Sequence, residues 1–367
     1  MQVVLNHFKE QIQSAISTQK IINICGGNTK NWYGNPPSGE ILNTHQYAGI
    51  LDYQPEELVI TACAGTPLKE VELALASKNQ YFPFEPPHYG ENATIGGMIA
   101  AGLAGPGRGQ FGGLRDYVLG TKIMDGNAQI LSFGGKVMKN VAGYDVSRLM
   151  PGSLGTLGLI LEISIKVLPL PARTETLKFQ IPASQAIVQM NSWASQPLPL
   201  SASNWIGDSQ GGELWIRLAG ANAAVVAAIQ KMQQLLPAQI METQQANFFW
   251  ESIREQTHSF FENENENLWR FAVNPLSEPF ATEHATMIEW FGGQRWIKGN
   301  LNYEEAQSLA VKNQGHATLF RNNKNNSGDV FTPITANPLT APLAIVQKRV
   351  QKAFDPHGIF QTGRMSY

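Results

Sequence analysis

A chain of 367 residues, 43% hydrophobic and 15% charged, is long enough for two cores and too apolar to be a disordered polymer. Its formal net charge of −2 and pI near 6.4, with Lys and Arg scattered and no basic run, exclude a broad nucleic-acid surface. Two cysteines, Cys25 and Cys63, cannot build a disulfide framework or hold an iron–sulfur cluster alone, and their apolar surroundings predict buried free thiols.

Residues 3–19 place Val4, Phe8, Ile12 and Ile16 at near-helical spacing and predict an amphipathic helix. This stretch lacks the apolar core and cleavage pattern of a signal peptide. No window offers about eighteen unbroken apolar residues, as a spanning helix requires. A cytoplasmic location follows, including a peripheral seat at the cytoplasmic face of the inner membrane, and the sequons at Asn92 and Asn325 would go unused. IINIC is a short strand feeding the glycine turn GGNTKNWYG. ELVITACA is a strand again, Thr66-Pro67 starts a helix, and LKEVELALASKNQ continues it. From 94 to 167 the chain is glycine-rich, with strands expected in DYVLGTKIMD, AQILSF and TLGLILEISIKVLP. Pro169 and Pro171 mark a boundary.

From 172 the runs read strand (TLKFQI), helix (SQAIVQMNSWA), strand (SASNWI), strand (ELWIRLAG) and helix (AAVVAAIQKMQQLL), a β-α-β-β-α half of a ferredoxin-like sheet. A helix near 247–257 follows, then strands LWRFAVN, TMIEWFG and QRWIKGN, a helix at 303–312 and a last helix over 339–354. ENENEN at 262–267 and NNKNNSG at 322–328 are polar and low in complexity. The expected division is 1–171, 172–330 and a C-terminal helix and tail, 331–367, returning to the first domain.

Three segments carry the chemistry. In Gly26-Gly27-Asn28-Thr29-Lys30 the glycines let backbone N–H groups approach an anion, with three side chains as further donors, or else form an ordinary strand-to-turn glycine pair. The second runs from Pro86 through His88, Thr94, Gly96 and Gly97 to Gly105, with small residues suited to packing on a cofactor. Its GPGRG neither follows a strand nor opens a helix with an acidic residue about twenty positions on, so a Rossmann reading is weak. The third is Gly143-Tyr144-Asp145 followed by Gly152-Ser153-Leu154-Gly155-Thr156-Leu157-Gly158, a second anion wall with Ser153 and Thr156 as hydroxyl donors, or else a glycine-rich sheet corner.

GGNT, ATIGGMIAAGLAG, RDYVLG, AGYDVSRL and GSLGTLG occur in this order over about 140 residues and resemble the vanillyl-alcohol-oxidase (PCMH-type) FAD-binding family. EPPHYGENATIGG, GGKVMKNVAGYDVSRLM and DPHGIFQTGRM narrow the resemblance to the family of E subunits of bacterial glycolate oxidases, over most of the chain. The resemblance implies an α+β fold, with a PCMH-type FAD-binding domain of two α+β subdomains and a smaller ferredoxin-like cap. It further implies FAD lined by Gly26, Gly27, Asn28, Thr29, Lys30, Pro86, Thr94, Gly96, Gly97, Gly105, Gly152, Ser153, Gly155, Thr156, Gly158 and Ile160. Leu154 replaces the family's usual acidic residue and Tyr89 a proline. Gln361-Thr362 stands where Asn-Pro usually precedes Gly-Arg, which leaves a flavin contact from the C-terminus open.

The HxGDGNxH-like motif of related hydroxy-acid dehydrogenases is missing, and His284, His316 and His357 stand alone, so no metal is expected. The family's covalent histidine would fall where this chain has Asn28 to Asn31, so noncovalent FAD is expected. By position His88 is the candidate base, and Arg295 or Arg270 could hold a carboxylate, the alternative for each arginine being a solvated or structural ion pair. The implied function is an FAD-binding subunit of a glycolate oxidase that turns glycolate into glyoxylate, with D-lactate as a further candidate substrate, and passes electrons to partner subunits. Its partners are a second, catalytic FAD-binding subunit and an iron–sulfur subunit. The alternatives are a self-sufficient FAD oxidoreductase for another hydroxy acid or a sugar lactone, and a non-catalytic assembly subunit that retains FAD.

Overall fold

The computed structural model describes residues 1–135, 145–262, 265–322 and 341–365. Gly143 and Tyr144 of the third glycine segment, most of NNKNNSG, part of ENENEN, the 330/331 boundary and the start of the last helix lie outside the described residues. The chain divides into two compact units. One comprises Met1–Leu103, Gly113–Leu170 and Pro338–Tyr367, and the other Ala104–Gly112 and Pro171–Asn337.

In the first unit helix α1 (Gln2–Thr18) buries Phe8, Ile12 and Ala15, spaced by four and three, and ends on Gln19 in the left-handed region. These side chains share a core with Tyr47, Leu159, Ile359 and Phe360, so the two ends of the described chain meet in one hydrophobic cluster. Strand β1 (Ile22–Cys25) pairs in parallel with β2 (Glu40–Asn43), Ile22 against Glu40. Four more strands, β3 (Ile50–Gln54), β4 (Val59–Cys63), β5 (Val118–Met124) and β6 (Ile130–Gly134), join β7 (Leu159–Lys166) in an antiparallel sheet of order β3-β4-β7-β5-β6. β7 reads LILEISIK, a near-continuous apolar run, because it is central and buried on both faces. Its one acidic residue, Glu162, accepts hydrogen bonds from Tyr47 Oη (3.0 Å) and Lys122 Nζ (2.7 Å).

Helix α2 (Leu68–Ala76) is shorter than its sequence pattern. The chain turns through Asn79, at φ 53°, so that Gln80–Tyr81 can pair with Leu168–Pro169. The helical pattern beyond Ala76 yields to that pairing. Helix α3 (Ile95–Ala101) is capped by Thr94, whose hydroxyl accepts from Gly97 N at 3.1 Å.

The second unit begins with β8 (Arg173–Gln180), α4 (Ala183–Ala194), β9 (Leu200–Asp208), β10 (Gly211–Gly220) and α5 (Asn222–Leu235), the expected β-α-β-β-α order. α4 and α5 cover one face of the sheet, packing Trp193, Val225 and Met232 on Leu177, Trp205 and Ile216. Helix α6 (Thr243–Glu255) covers the other, with Phe249 stacked on Trp215 at 3.9 Å. Then come β11 (Leu268–Ala272), β12 (Thr286–Glu289), β13 (Gln294–Lys298), α7 (Tyr303–Lys312) and β14 (His316–Arg321). All pair antiparallel in one eight-stranded sheet, with Gln239–Ile240 at the β8 edge and β14 at the other. Neither edge strand was legible as one, being two residues long in one case and flanked by a polar, low-complexity segment in the other.

The strand expected over TMIEWFG stops at Glu289. Trp290 and Phe291 both adopt left-handed backbone, at φ 51° and 57°, and Gly292 follows at 102°. This turn holds the early segment Ala104–Gly112 in the second unit. Trp290 Nε1 donates to Gly105 O at 3.1 Å, and the Arg108 guanidinium lies 4.4 Å from the Trp290 ring.

Candidate functional site

A cleft in the first unit is walled by β1 and the loop after it, by α3 and by the turn that leads into β7. Gly26, Gly27, Asn28, Thr29 and Lys30 line it, as do Thr94, Gly96, Gly97, Gly155, Gly158 and Ile160. In the sequence these residues were brought together by the motifs that carry the family resemblance. Packing explains how they converge.

The loop after β1 lies directly on the chain before α3. A Cβ on Gly27 would stand 1.5 Å from Asn92 O, and one on Gly26 would stand 2.6 Å from Thr94 Oγ1. Gly96 N donates to Ala64 O at 2.7 Å, and there too a side chain would collide with Ala64. The third segment has a different requirement. Gly152, Gly155 and Gly158 adopt φ of 84°, 82° and 118°, where glycine is nearly unopposed. Leu154 between them takes φ 49°, a strained state for a side chain of its size, while its N–H donates to Ala100 O at 2.9 Å.

The polar groups facing the cleft are arranged for an anion. Among the described residues, the backbone N–H groups of Gly26, Gly27, Asn28 and Thr29 donate to no other protein group. Among the described residues, two cations, Lys30 and Arg364, line the cleft together with these amides, and no Asp or Glu does. Lys30 is buried, its Nζ donating to His88 O at 2.9 Å and lying 5.6 Å from the Tyr89 ring. Thr29 Oγ1 donates to the same carbonyl at 2.8 Å. Burial pushes the Cys25 thiol up, and the neighbouring Arg364 guanidinium opposes that shift.

Several expected residues lie elsewhere. Pro86 and Gly152 are outside the lining, and Gly105 belongs to the second unit, its carbonyl taken by Trp290. The Thr156 hydroxyl turns inward to Ser153 O at 2.8 Å, closing the turn rather than facing the cleft. Ser153 Oγ is buried without a partner, close in sequence to Leu154 and Gly155, which do line the cleft.

The two residues considered for chemistry are held by structural contacts. His88 Nε2 meets Glu72 Oε2 at 2.9 Å, and the imidazole does not line the cleft; the backbone carbonyl of His88 is what anchors Thr29 and Lys30. Arg295 is fully buried in the second unit. Its Nε, Nη1 and Nη2 donate to the carbonyls of Gly292, Glu278 and Ser277, and its guanidinium lies 5.0 Å from the Phe280 ring. Burial pulls it down to about 10, and with three carbonyls engaged it offers no open fork for a carboxylate. The residue that sequence reasoning left open and the structure brings in is Arg364, carried by the tail that follows Gln361-Thr362.

Comparison with known proteins agrees with this geometry. A family model described as an FAD binding domain matches residues 7–134. The chain is 42% identical over 356 residues to glycolate oxidase subunit GlcE of Escherichia coli, covering 97% of this chain and 95% of that protein. It is 35% identical over 156 residues to glycolate oxidase subunit GlcD of Bacillus subtilis, covering 42% of this chain and 32% of that one. A D-lactate dehydrogenase of Archaeoglobus fulgidus is 31% identical over 208 residues, 53% of this chain and 45% of its own. Among solved structures, an alkyldihydroxyacetonephosphate synthase superposes with a TM-score of 0.65 at 14% identity, covering 96% of this chain and 74% of that chain, which is a likeness of fold. The cofactor is FAD. The cleft fits it, since a run of open amides beside two cations and no carboxylate is complementary to a pyrophosphate.

Proposed function

This chain belongs to the glycolate oxidase subunit GlcE family, and from that premise we propose that it is the FAD-holding subunit of a complex that oxidises glycolate to glyoxylate, with D-lactate as a further candidate substrate. The observation that carries the cofactor half of this reading is the open amide run of Gly26 to Thr29 beside Lys30. Bound there, FAD supplies a two-electron acceptor. The residues of the chain hold and orient it. The amides and Lys30 would hold the diphosphate, Gly96 and Gly97 would let α3 approach it, and Leu154, Gly155 and Ile160 would line the site as well.

Among the described residues that line the cleft there is no Asp, Glu or His, which suits the holding of a diphosphate. The likeness over almost the whole chain to a glycolate oxidase subunit, with His88 and Arg295 held in other contacts, favours a subunit over a self-sufficient oxidoreductase. The partners in this reading are a second flavin-binding subunit and an iron–sulfur subunit, which carries electrons onward because Cys25 and Cys63 cannot bind a cluster alone. Among the described residues no helix is long and apolar enough to cross a membrane, so any membrane seat in this reading comes through the complex.

The test is glycolate-dependent dye reduction by the chain expressed alone and with its candidate partners. The reading expects little turnover alone and full turnover in the assembled complex, lost when this chain is omitted. Robust turnover by the isolated chain, equal to the complex, would defeat it.

A further inference from the structure

We infer that Arg364 is a second phosphate-holding cation of the FAD cleft, delivered by a C-terminal strap whose docking is coupled to cofactor binding. This rests on the reading of the cleft as the FAD site. The strap is built by specific bonds. Ile359 and Phe360 are buried in the core of α1, and Ile22 N donates to Ile359 O at 2.7 Å, where β1 begins. The Asp355 carboxylate accepts from Ile359 N at 3.0 Å and Phe360 N at 2.8 Å, which folds the tail back on itself. Ser38 N then donates to Thr362 O, and Asn35 donates through its backbone N to Arg364 O and through Nδ2 to Gly363 O. The segment that follows the amide run is thereby buckled to the end of the chain.

Arg364 is the last link. Its Nη2 donates to Lys30 O at 2.7 Å and its Nε to Tyr33 O at 3.0 Å, which fixes the plane of the guanidinium in the lining of the cleft. Its Nη1 has no protein partner among the described residues, and no carboxylate pairs with it there. A guanidinium anchored by two nitrogens on neutral carbonyls keeps its full charge, with the remaining donors available for an anion. The open amides of Gly26 to Thr29 lie in the same cleft. A diphosphate there would meet charge from both Lys30 and Arg364. Because the strap also holds the loop in place, an anion that binds the loop stabilises the docked strap, and by linkage the docked strap raises affinity for the anion.

The experiment titrates apoprotein with FAD, ADP and riboflavin, using the wild type, Arg364→Met and Arg364→Lys. ADP carries the diphosphate without the flavin, and riboflavin the flavin without it. The expected result for Arg364→Met is an affinity for both FAD and ADP weaker by about 10- to 100-fold, with riboflavin unchanged. Arg364→Lys should recover much of the loss, since the charge returns while the two-carbonyl clamp does not. Hydrogen exchange on the unaltered chain supplies a measurement independent of any folding defect. FAD and ADP should each slow exchange at the amides of residues 355–364, and riboflavin should not. Unchanged ADP affinity in Arg364→Met, or strap exchange indifferent to ADP, overturns the inference. Failure of the wild type to bind either FAD or ADP overturns the underlying reading of the cleft instead.

Discussion

Gly27→Ala is the sharpest perturbation of the cleft. The added methyl carbon would start 1.5 Å from Asn92 O and 2.4 Å from Asn92 C, both backbone atoms that no rotamer change can move. Restoring an ordinary contact of about 3.5 Å requires the loop after β1 to retreat by about 2 Å from the chain before α3. Hydrogen bonds to phosphate oxygens span about 2.7–3.2 Å, so a shift of that size removes the amides of Gly26 to Thr29 from range. Losing two charge-assisted bonds of about 1.5–3 kcal/mol each weakens FAD by at least about 100-fold. Gly155→Ala makes the contrast. Its Cβ would meet Ile24 at an ordinary 3.7 Å, and the cost is confined to placing a side chain at φ 82°, about 1 kcal/mol. The assay is flavin titration of each apoprotein, with circular dichroism to confirm folding. Gly27→Ala binding FAD as tightly as the wild type, or Gly155→Ala suffering the larger loss, would refute the reasoning.

Three other outcomes are expected. Burial, with the Glu162 charge close by, pushes the Cys63 thiol up to about 11 from its ordinary 9.0, so the folded state holds that proton more tightly than the unfolded chain. Stability should be fully present below pH 9 and fall by on the order of 2 kcal/mol towards pH 11, seen as a melting-temperature slope that Cys63→Ala flattens. His88→Gln should leave flavin content intact and cost the assembled enzyme no more than a few-fold in turnover, because the backbone carbonyl anchors Thr29 and Lys30; a large loss of turnover with flavin retained would return His88 to the chemistry. Arg295→Met should destabilise the second unit by about 3 kcal/mol or more, since it strands three buried carbonyls, while flavin content stays unchanged in material that folds.

The sequence made local order legible where periodicity and punctuation agreed, as in α1, β7 and the β-α-β-β-α run. It misjudged places where tertiary pairing decides. The pattern of α2 continues past Ala76, but a two-residue bridge to Leu168–Pro169 takes those residues, and no local signal announces it. The turn at Trp290-Phe291 reads as strand because two bulky aromatics rarely adopt left-handed backbone. In the cleft, the resemblance to the FAD-binding family supplied most of the lining, yet the glycines in the sequence could not separate two different reasons for glycine. Gly27 and Gly96 avoid backbone collisions, whereas Gly152 and Gly155 supply a positive φ. Arg364 escaped because its part depends on tertiary contacts with Lys30 O, 334 positions earlier in the chain.

That separation has a consequence for biosynthesis. The ribosome must extend the chain by 334 residues after Lys30 before Arg364 exists to hold it, and Ile359 and Phe360 of the α1 core also arrive late. The second unit is encoded almost wholly within that interval, so it can complete its sheet while the first unit still waits for its closing segment. The nascent first unit is therefore a half-walled cleft with an uncovered helix face, a state in which free flavin gains little and chaperones gain a substrate.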